Sequence, residues 1–169
     1  ERLDRLAFRQ QERGYRRSDE AHEASIQRLQ RPLHYCGGSY FGDDLNAPLR
    51  LARHATRLVT LRFCCQSWSF AFIREGLQRY PLEHTRFSRP LPDDTWWHHP
   101  KAPHVLQPGS GSDRHPYPVE LDLPSWTVER DVDLRNWLFG FGDGVRIESP
   151  TAMQEDHRAK ASAVVDLYP

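Results

Sequence analysis

The sequence predicts an α+β protein, and two observations support this class. Up to residue 57, apolar residues come mostly in short alternating runs, which is the period of a strand that buries one face. From Leu58 onward, segments with strand and helix periods follow in the order β-α-β, a proline-rich insertion, and β-α-β-α. This order is typical of a split βαβ, ferredoxin-like arrangement with an added C-terminal helix. We therefore predict two domains, 1–57 and 58–169.

The front part is predicted to be a small β-barrel domain made of short strands. The polar segment 13–23 indicates an exposed loop. The stretch SIQRLQRPLHYCGGSYFG holds two alternating runs joined by Gly37 and Gly38, which predicts a β-hairpin. The segment LRLARHATRL, after Pro48, predicts a further strand.

The second part shows clearer periods. A strand, LVTLRF, precedes a helix, SWSFAFIREGLQRY, for which Ser67 is the expected N-cap. HTRFSRP predicts the next strand, and the segment 90–118, with seven prolines, predicts a long insertion. The next strand, YPVELDLP, alternates with Val119, Leu121 and Leu123 on its buried side. One helix, VERDVDLRNWLFGF, leads to a strand, GVRIESP, with Val145 and Ile147 inward, and the apolar side of a last helix includes Met153, Val164 and Val165.

Three glycines within five residues, in NWLFGFGDGVRIESP, raise the question of a phosphate-binding loop. Such a loop needs glycines before a helix, because the positive end of the helix dipole and its free N–H groups then face the anion. Here the glycines follow a helix, and Asp143 adds a negative charge. We therefore interpret the stretch as a joint, with Gly140 or Gly142 left-handed at a helix C-terminus.

Composition limits the classes of protein to consider. With 38% hydrophobic and 11% aromatic residues, the 169-residue chain can build a core. No run of eighteen apolar residues occurs, and the charged start lacks the apolar centre of a signal peptide, so we predict a cytoplasmic protein. Cys36, Cys64 and Cys65 lack paired zinc spacing and cannot all form disulfides with one another, which predicts reduced thiols.

Motifs for catalysis and for metal binding are missing from the sequence. It holds no nucleophile elbow, no HExxH and no paired-carboxylate motif, so we predict that the protein is not an enzyme. His98 and His99 are adjacent, which would point their rings apart in an extended chain, and we predict neither a metal nor a cofactor. The neighbouring Trp96 and Trp97 suit either an exposed contact for a partner or a loop folded onto its own domain.

Positive charge is concentrated in the first half of the chain. Residues 1–89 hold 16 basic and 10 acidic residues, whereas residues 90–169 hold 7 and 13. Arginines interleaved with aromatic residues suit single-stranded nucleic acid or a nucleotide, although a solvated barrel face and a GC-rich coding composition would also account for them. The residues concerned are Arg28, Arg31, His34, Tyr35, Tyr40, Phe41, Arg50, Arg53 and Arg57.

The order of these residues resembles a known family, the WYL-domain proteins. In RPLHYCGGSYFG, Ser39, Tyr40 and Phe41 stand in the places of that family's Trp-Tyr-Leu, and Arg50 and Arg53 of LRLAR match two arginines of a later strand. The second half resembles the family's C-terminal WCX extension. There LVTLRF, a helix ending in FIRE, an alternating strand and NWLFGFGDGVRIESP follow the same order.

This resemblance implies a ligand-sensing transcriptional regulator. The family's first domain is an SH3-like, Sm-like β-barrel that binds nucleic acid or a nucleotide, joined to an upstream DNA-binding domain and commonly homodimeric, and some members act in CRISPR-associated antiviral defence. In this chain Arg50 and Arg53 would hold phosphates and Tyr40 would stack on a base, beside His34 and Arg31. The alternative is a protein-interaction module that works through Trp96 and Trp97 without binding nucleic acid.

Overall fold

The computed structural model describes residues 18–35, 58–89 and 105–168. A helix comes first, α1 (Asp19–Tyr35). The elements that follow from Leu58 are β1 (Leu58–Cys65), α2 (Ser67–Gly76), β2 (Thr85–Ser88), β3 (Val105–Leu106), β4 (Tyr117–Pro124), α3 (Ser125–Arg130), α4 (Val132–Phe139), β5 (Val145–Ser149) and α5 (Thr151–Val165). Single turns of 3-10 helix cover Leu77–Arg79, Leu82–His84 and Gly142–Gly144.

The strands form one sheet in the order β3-β2-β4-β1-β5. The pairs β2-β4, β4-β1 and β1-β5 are antiparallel, and the two-residue strand β3 adds to β2 in parallel. The chain is therefore α+β. From Leu58 the order of elements follows the prediction except that β3 lies within the predicted insertion 90–118 and two helices replace one between β4 and β5.

Two residues that flank segment 90–104, Arg89 and Leu106, lie side by side at one edge of this sheet. The backbone N–H of Arg89, just after β2, donates to the carbonyl of Leu106 in β3 over 2.9 Å. The two ends of segment 90–104 therefore meet beside β2.

The core lies between the helices and one face of the sheet. Alternate residues of each strand point inward, and Leu61 in β1 and Leu121 in β4, which are register partners, are fully buried. Tyr117 of β4 stacks on Phe70 of α2, with ring centroids 4.8 Å apart. Burying a side chain of this size contributes about 1.5–3 kcal/mol, so the inward faces supply most of the stabilisation of this layer. The buried apolar residues predicted on strands, Val119, Leu121, Leu123, Val145 and Ile147, are confirmed.

The first strand of the hairpin predicted from residue 25 is wrong, since residues 25–35 belong to helix α1, and the rest of the predicted hairpin lies outside the described residues. The hydroxyl of Ser18 accepts a hydrogen bond from the N–H of Ala21 over 3.2 Å, and Asp19 and Glu20 lie in the first turn. A capping hydroxyl and early acidic residues both stabilise a helix N-terminus. The loop predicted for 13–23 is therefore wrong from Asp19 onward, where α1 begins, while residues 13–17 and the two glycines Gly37 and Gly38 lie outside the residues that the structure describes.

The single helix predicted for VERDVDLRNWLFGF is in fact two, α3 and α4. The chain breaks at Asp131, whose backbone leaves the helical region with φ −70° and ψ 106°. Its carboxylate then accepts hydrogen bonds from the N–H groups of Asp133 and Leu134, so that Asp131 is the N-cap of α4.

Two smaller predictions also need correction. The N-cap of α2 is Gln66, while Ser67 is the first helical residue. On the last helix, α5, Met153 is fully buried as predicted, but Val164 and Val165 are 55% and 70% exposed. From Arg158 onward the residues of α5 are exposed, because this end of the helix extends past the sheet that covers Met153.

Candidate functional site

A cavity of about 740 Å³ lies between β5, α5 and the glycine turn that joins α4 to β5. Arg114 and His115, from the loop that precedes β4, complete its lining. Pockets that bind small ligands span about 300–1,000 Å³, so the volume suits a small organic molecule. Because β5 is an edge strand of the sheet, the cavity lies at the edge opposite to β3.

The glycine turn forms one end of this cavity. Gly140 is the C-cap of α4, and Gly142 has a φ of +54°, a left-handed conformation that glycine adopts easily. The prediction of a joint with a left-handed glycine is therefore confirmed at Gly142. The carbonyl of Gly144 accepts hydrogen bonds from the N–H of Gln66 and the hydroxyl of Ser69, which ties the turn to the start of α2.

Helix α5 supplies the longest wall. At 3.6 residues per turn, its lining residues Gln154, His157, Ala161 and Val164 form one stripe along the helix. Arg158 is displaced to one side of this stripe. Lys160 is displaced to the other side, so two cations border the wall that α5 presents to the cavity.

The charged groups of the lining are mainly positive. Four are cations, namely Arg114, Arg146, Arg158 and Lys160, and Asp143 is the acidic residue among them. Arg114 forms an ion pair with Asp143. Both terminal nitrogens of Arg146 lie 3.1 Å from the carboxylate of Asp113, outside the lining.

The two cations of α5 have no carboxylate partner within the described ranges. Arg158 makes no hydrogen bond or ion pair there. The ammonium of Lys160 donates to the side-chain oxygen of Asn136 over 3.2 Å, which satisfies one of its three donors without neutralising its charge. The cavity therefore has an excess of positive charge, which attracts anions.

An aromatic pair forms the apolar part of the lining. The rings of Phe139 and His157 stack with centroids 4.8 Å apart and planes 12° from parallel. Lys160 lies over the Phe139 ring, 5.0 Å from its centroid. Burial lowers the pKa of His157, so its imidazole is neutral at pH 7.

The polar face of the sheet is a second charged surface, and its arginines are neutralised. The guanidinium of Arg86 donates to Asp122 over 2.6 and 2.7 Å and to Glu120 over 2.6 Å. Arg62 bonds Glu120 over 2.7 Å and Glu148 over 2.8 Å. Since carboxylates already bind these two guanidiniums, phosphates would have to displace them, and this face is a weaker candidate for anion binding than the cavity.

Both described cysteines, Cys64 and Cys65, are buried and free of disulfides. The Cys64 thiol lies on the same polar face and donates to Glu148 over 3.2 Å. Burial, together with the neighbouring carboxylate, raises the pKa of Cys64 to about 12. It therefore stays protonated at neutral pH, the form in which a cysteine is a poor nucleophile.

The described residues that line this cavity include none of the site residues predicted from sequence. Arg31 and His34 lie in helix α1, whereas the prediction placed them on a strand of a barrel. Tyr40, Arg50 and Arg53, together with Trp96 and Trp97, lie outside the residues that the structure describes.

The cavity itself was missed from the sequence. Its lining includes both Arg114 and Arg158, which are distant in the chain. No local sequence pattern predicts that two such distant residues line the same cavity. The available signal was the combination of a glycine joint, a strand and a helix with two unpaired basic residues.

No group of three His, Cys, Asp or Glu side chains in the described ranges is placed to hold a metal ion. None of the helices described there combines the length and the hydrophobicity that crossing a bilayer requires.

Comparisons with protein-family models, with curated proteins and with solved structures found no match for this chain.

Proposed function

We propose that the chain is a ligand-sensing transcriptional regulator of the WYL type, which binds nucleic acid or a nucleotide. The observation that carries this proposal is the excess of positive charge in the cavity beside the glycine turn. The turn belongs to NWLFGFGDGVRIESP, the stretch on which the resemblance to the WCX extension mainly rests. A cationic cavity in this segment supports the sensing of an anionic ligand.

The proposed architecture has two domains. For the domain from Leu58, the strand order β2-β4-β1-β5 with antiparallel neighbours supports a ferredoxin-like, split βαβ fold to which α5 is added. The assignment of residues 1–57 to an SH3-like, Sm-like barrel rests on the resemblance to the family. In this assignment α1 is a helix of that domain. The same resemblance suggests a cytoplasmic homodimer with an upstream DNA-binding domain, in antiviral or CRISPR-associated regulation.

In this proposal the first domain makes the contacts to nucleic acid. Arg50 and Arg53 hold phosphates, Tyr40 stacks on a base, and Arg31 and His34 add positive charge nearby. Each phosphate contact releases a bound counterion from single-stranded nucleic acid and adds about 0.7 to the slope of log affinity against log salt.

Binding of short single-stranded DNA and RNA at several salt concentrations tests the assignment. We expect Arg50→Ala/Arg53→Ala to weaken binding at least tenfold at low salt and to reduce the salt slope by about 1–1.5. Arg89→Ala is the matched control, because Arg89 is exposed at the sheet edge beside β3. Equal affinity and equal salt slope in wild type and double variant would remove Arg50 and Arg53 from the site.

A second candidate function is the protein-interaction module that uses Trp96 and Trp97. It is favoured by the hydrogen bond from Arg89 to Leu106, which brings both ends of segment 90–104 to one edge of the domain. A segment inserted in this way can carry a contact surface of its own. The binding assay separates the two functions, since an interaction module of this kind leaves both DNA and RNA unbound.

A further inference from the structure

Two cations of α5 face the cavity without an acidic partner. Arg158 and Lys160 flank the lining stripe of this helix, and in the described part of the chain neither pairs with a carboxylate. A guanidinium presents a planar fork of donors and an ammonium presents a compact charge, and both suit phosphate oxygens. Arg158 and Lys160 are two residues apart on the helix and lie on opposite sides of the stripe, so both long side chains would have to extend over the stripe to contact one phosphate at the mouth of the cavity.

The aromatic part of the lining adjoins these two cations, because His157 directly precedes Arg158 and Lys160 lies over the Phe139 ring. The stacked rings of Phe139 and His157 lie beside the apolar side chains of Val145, Ile147 and Val164. A flat aromatic ring packs well against such a surface, because ring faces and edges attract one another in addition to the area that they bury. The neutral imidazole of His157 makes this surface uncharged at pH 7.

The surroundings favour a small ligand over a polymer. Asp113, Asp143 and Glu148 lie around Arg114 and Arg146 and neutralise them. A nucleic-acid strand that continued beyond the cavity would bring further phosphates close to these carboxylates, and like charges repel. A single phosphate placed at Arg158 and Lys160 avoids them.

We propose that this cavity binds a small organic phosphate, a monoester whose other half is a flat ring, with Arg158 and Lys160 as the phosphate contacts and the Phe139–His157 pair as the surface for the ring. The inference rests on the proposed anion-sensing function and specifies the chemical class of its ligand. A phosphate monoester carries between one and two negative charges at pH 7, which matches the two unpaired cations.

Isothermal titration calorimetry on the full chain tests the proposal with four probes, namely adenosine 5′-monophosphate, adenosine, ribose 5-phosphate and inorganic phosphate. We expect the monophosphate to bind at least tenfold more tightly than each of the other three, because only it offers both the phosphate and the ring. Arg158→Ala/Lys160→Ala should weaken its binding at least tenfold. Arg89→Ala, at the opposite edge of the sheet, should leave it unchanged.

A further variant controls for folding. Lys160 also contacts Asn136 and Phe139, so its replacement can loosen α5. Arg158→Lys/Lys160→Arg keeps both charges and should retain binding within about threefold, with thermal melts recorded for every variant. Loss of binding in this charge-preserving pair, with unchanged melts, would contradict a charge-based phosphate site.

The outcomes separate this inference from the proposed function. If oligonucleotides bind to the wild type and adenosine 5′-monophosphate does not bind at millimolar concentration, the cavity proposal fails and the regulator proposal stands. If the monophosphate binds equally well to wild type and Arg158→Ala/Lys160→Ala, the cavity is not its site. If oligonucleotide binding requires Arg158 and Lys160, the ligand is a polymer, and if no anion binds, both proposals fail.

Discussion

Gly144 is held at a point where no side chain fits. A Cβ added there would lie 3.0 Å from both Cε2 and Cη2 of Trp68 and closer still to Cζ2. The indole cannot move away freely, because its N–H donates to the side-chain oxygen of Gln66 over 2.9 Å. The glycine joint therefore depends on Gly142 for its conformation and on Gly144 for its close approach to α2.

We expect Gly144→Ala to lower the free energy of unfolding by about 1–3 kcal/mol, since crowding a packed contact forces side chains and backbone to shift. Gly111→Ala is the matched control, because a Cβ at Gly111 meets nothing within 4 Å, and its effect should stay within about 0.5 kcal/mol. Urea denaturation of both variants measures the difference. Equal stabilities would mean that Trp68 yields to the methyl group without cost.

At the scale of elements, Asp131 decides how the chain between β4 and β5 is divided. It ends α3 and caps α4, yet its carboxylate is almost fully buried and one oxygen, Oδ2, has no hydrogen-bond partner among the described residues. Burial raises the pKa of this carboxyl group, and the hydrogen bonds from Leu134 and Asp133 oppose the shift. The cap thus stabilises α4 at the cost of burying a charge.

We expect Asp131→Ala to lower the free energy of unfolding by about 1–2 kcal/mol, because two N–H groups at the start of α4 lose their acceptor. Asp131→Asn keeps the acceptor and removes the charge, so its stability at pH 7 should equal or exceed that of the wild type. The folded state holds the Asp131 proton more tightly than the unfolded state, so the wild type loses stability as pH rises above about 4. The advantage of Asn should therefore shrink as pH falls towards about 4, and an Asn variant as unstable as the Ala variant would contradict this account.

At the scale of the whole molecule, the sheet separates an apolar face from a face held together by ion pairs. The Arg146 guanidinium lowers the pKa of Asp113 to about 2, and Arg86 lowers the pKa of Asp122. A carboxylate with a lowered pKa contributes stability that is present above its unfolded value near 4 and is lost as pH falls through the folded value. These two residues therefore protect the fold until the pH is strongly acidic.

We expect the melting temperature to fall as the pH is lowered from about 4 to about 2, the window set by Asp113, and the lowered pKa of Asp122 adds a loss of stability in the same direction. An NMR titration of the Asp113 carboxyl carbon should give a midpoint of about 2. In Arg146→Ala the midpoint should move up towards about 4, whereas Arg89→Ala should leave it in place. A midpoint that does not respond to Arg146 would show that the ion pair does not form in solution.

The features that could be predicted from sequence are those that depend on local periodicity. Alternation in YPVELDLP identified Val119 and Leu121 as inward residues, and helix polarity identified the glycine joint. The stretch after Ser25 was misassigned because Ile26, Leu29 and Leu33 also fit a helical period, so two periods competed in one short segment.

The features that could not be predicted depend on contacts between distant segments. Strand register decides that Arg62 and Arg86 both lie beside Glu120, and register is fixed by the assembled sheet. The cavity likewise needs Arg114 and Arg158 to meet across the fold. No single window of sequence contains either pair.

The hydrogen bond that closes segment 90–104 between Arg89 and Leu106 has a consequence for how the chain can change over evolution or in engineering. Because the ends of the segment are fixed together at the edge of the sheet, its length is largely uncoupled from the core. Doubling the length of a flexible loop costs only about 0.6 kcal/mol in closure entropy. The domain can thus accept a longer, shorter or foreign segment at this position and keep its cavity intact at the opposite edge. Residues 90–104 are therefore a suitable site for inserting a reporter or a new recognition module.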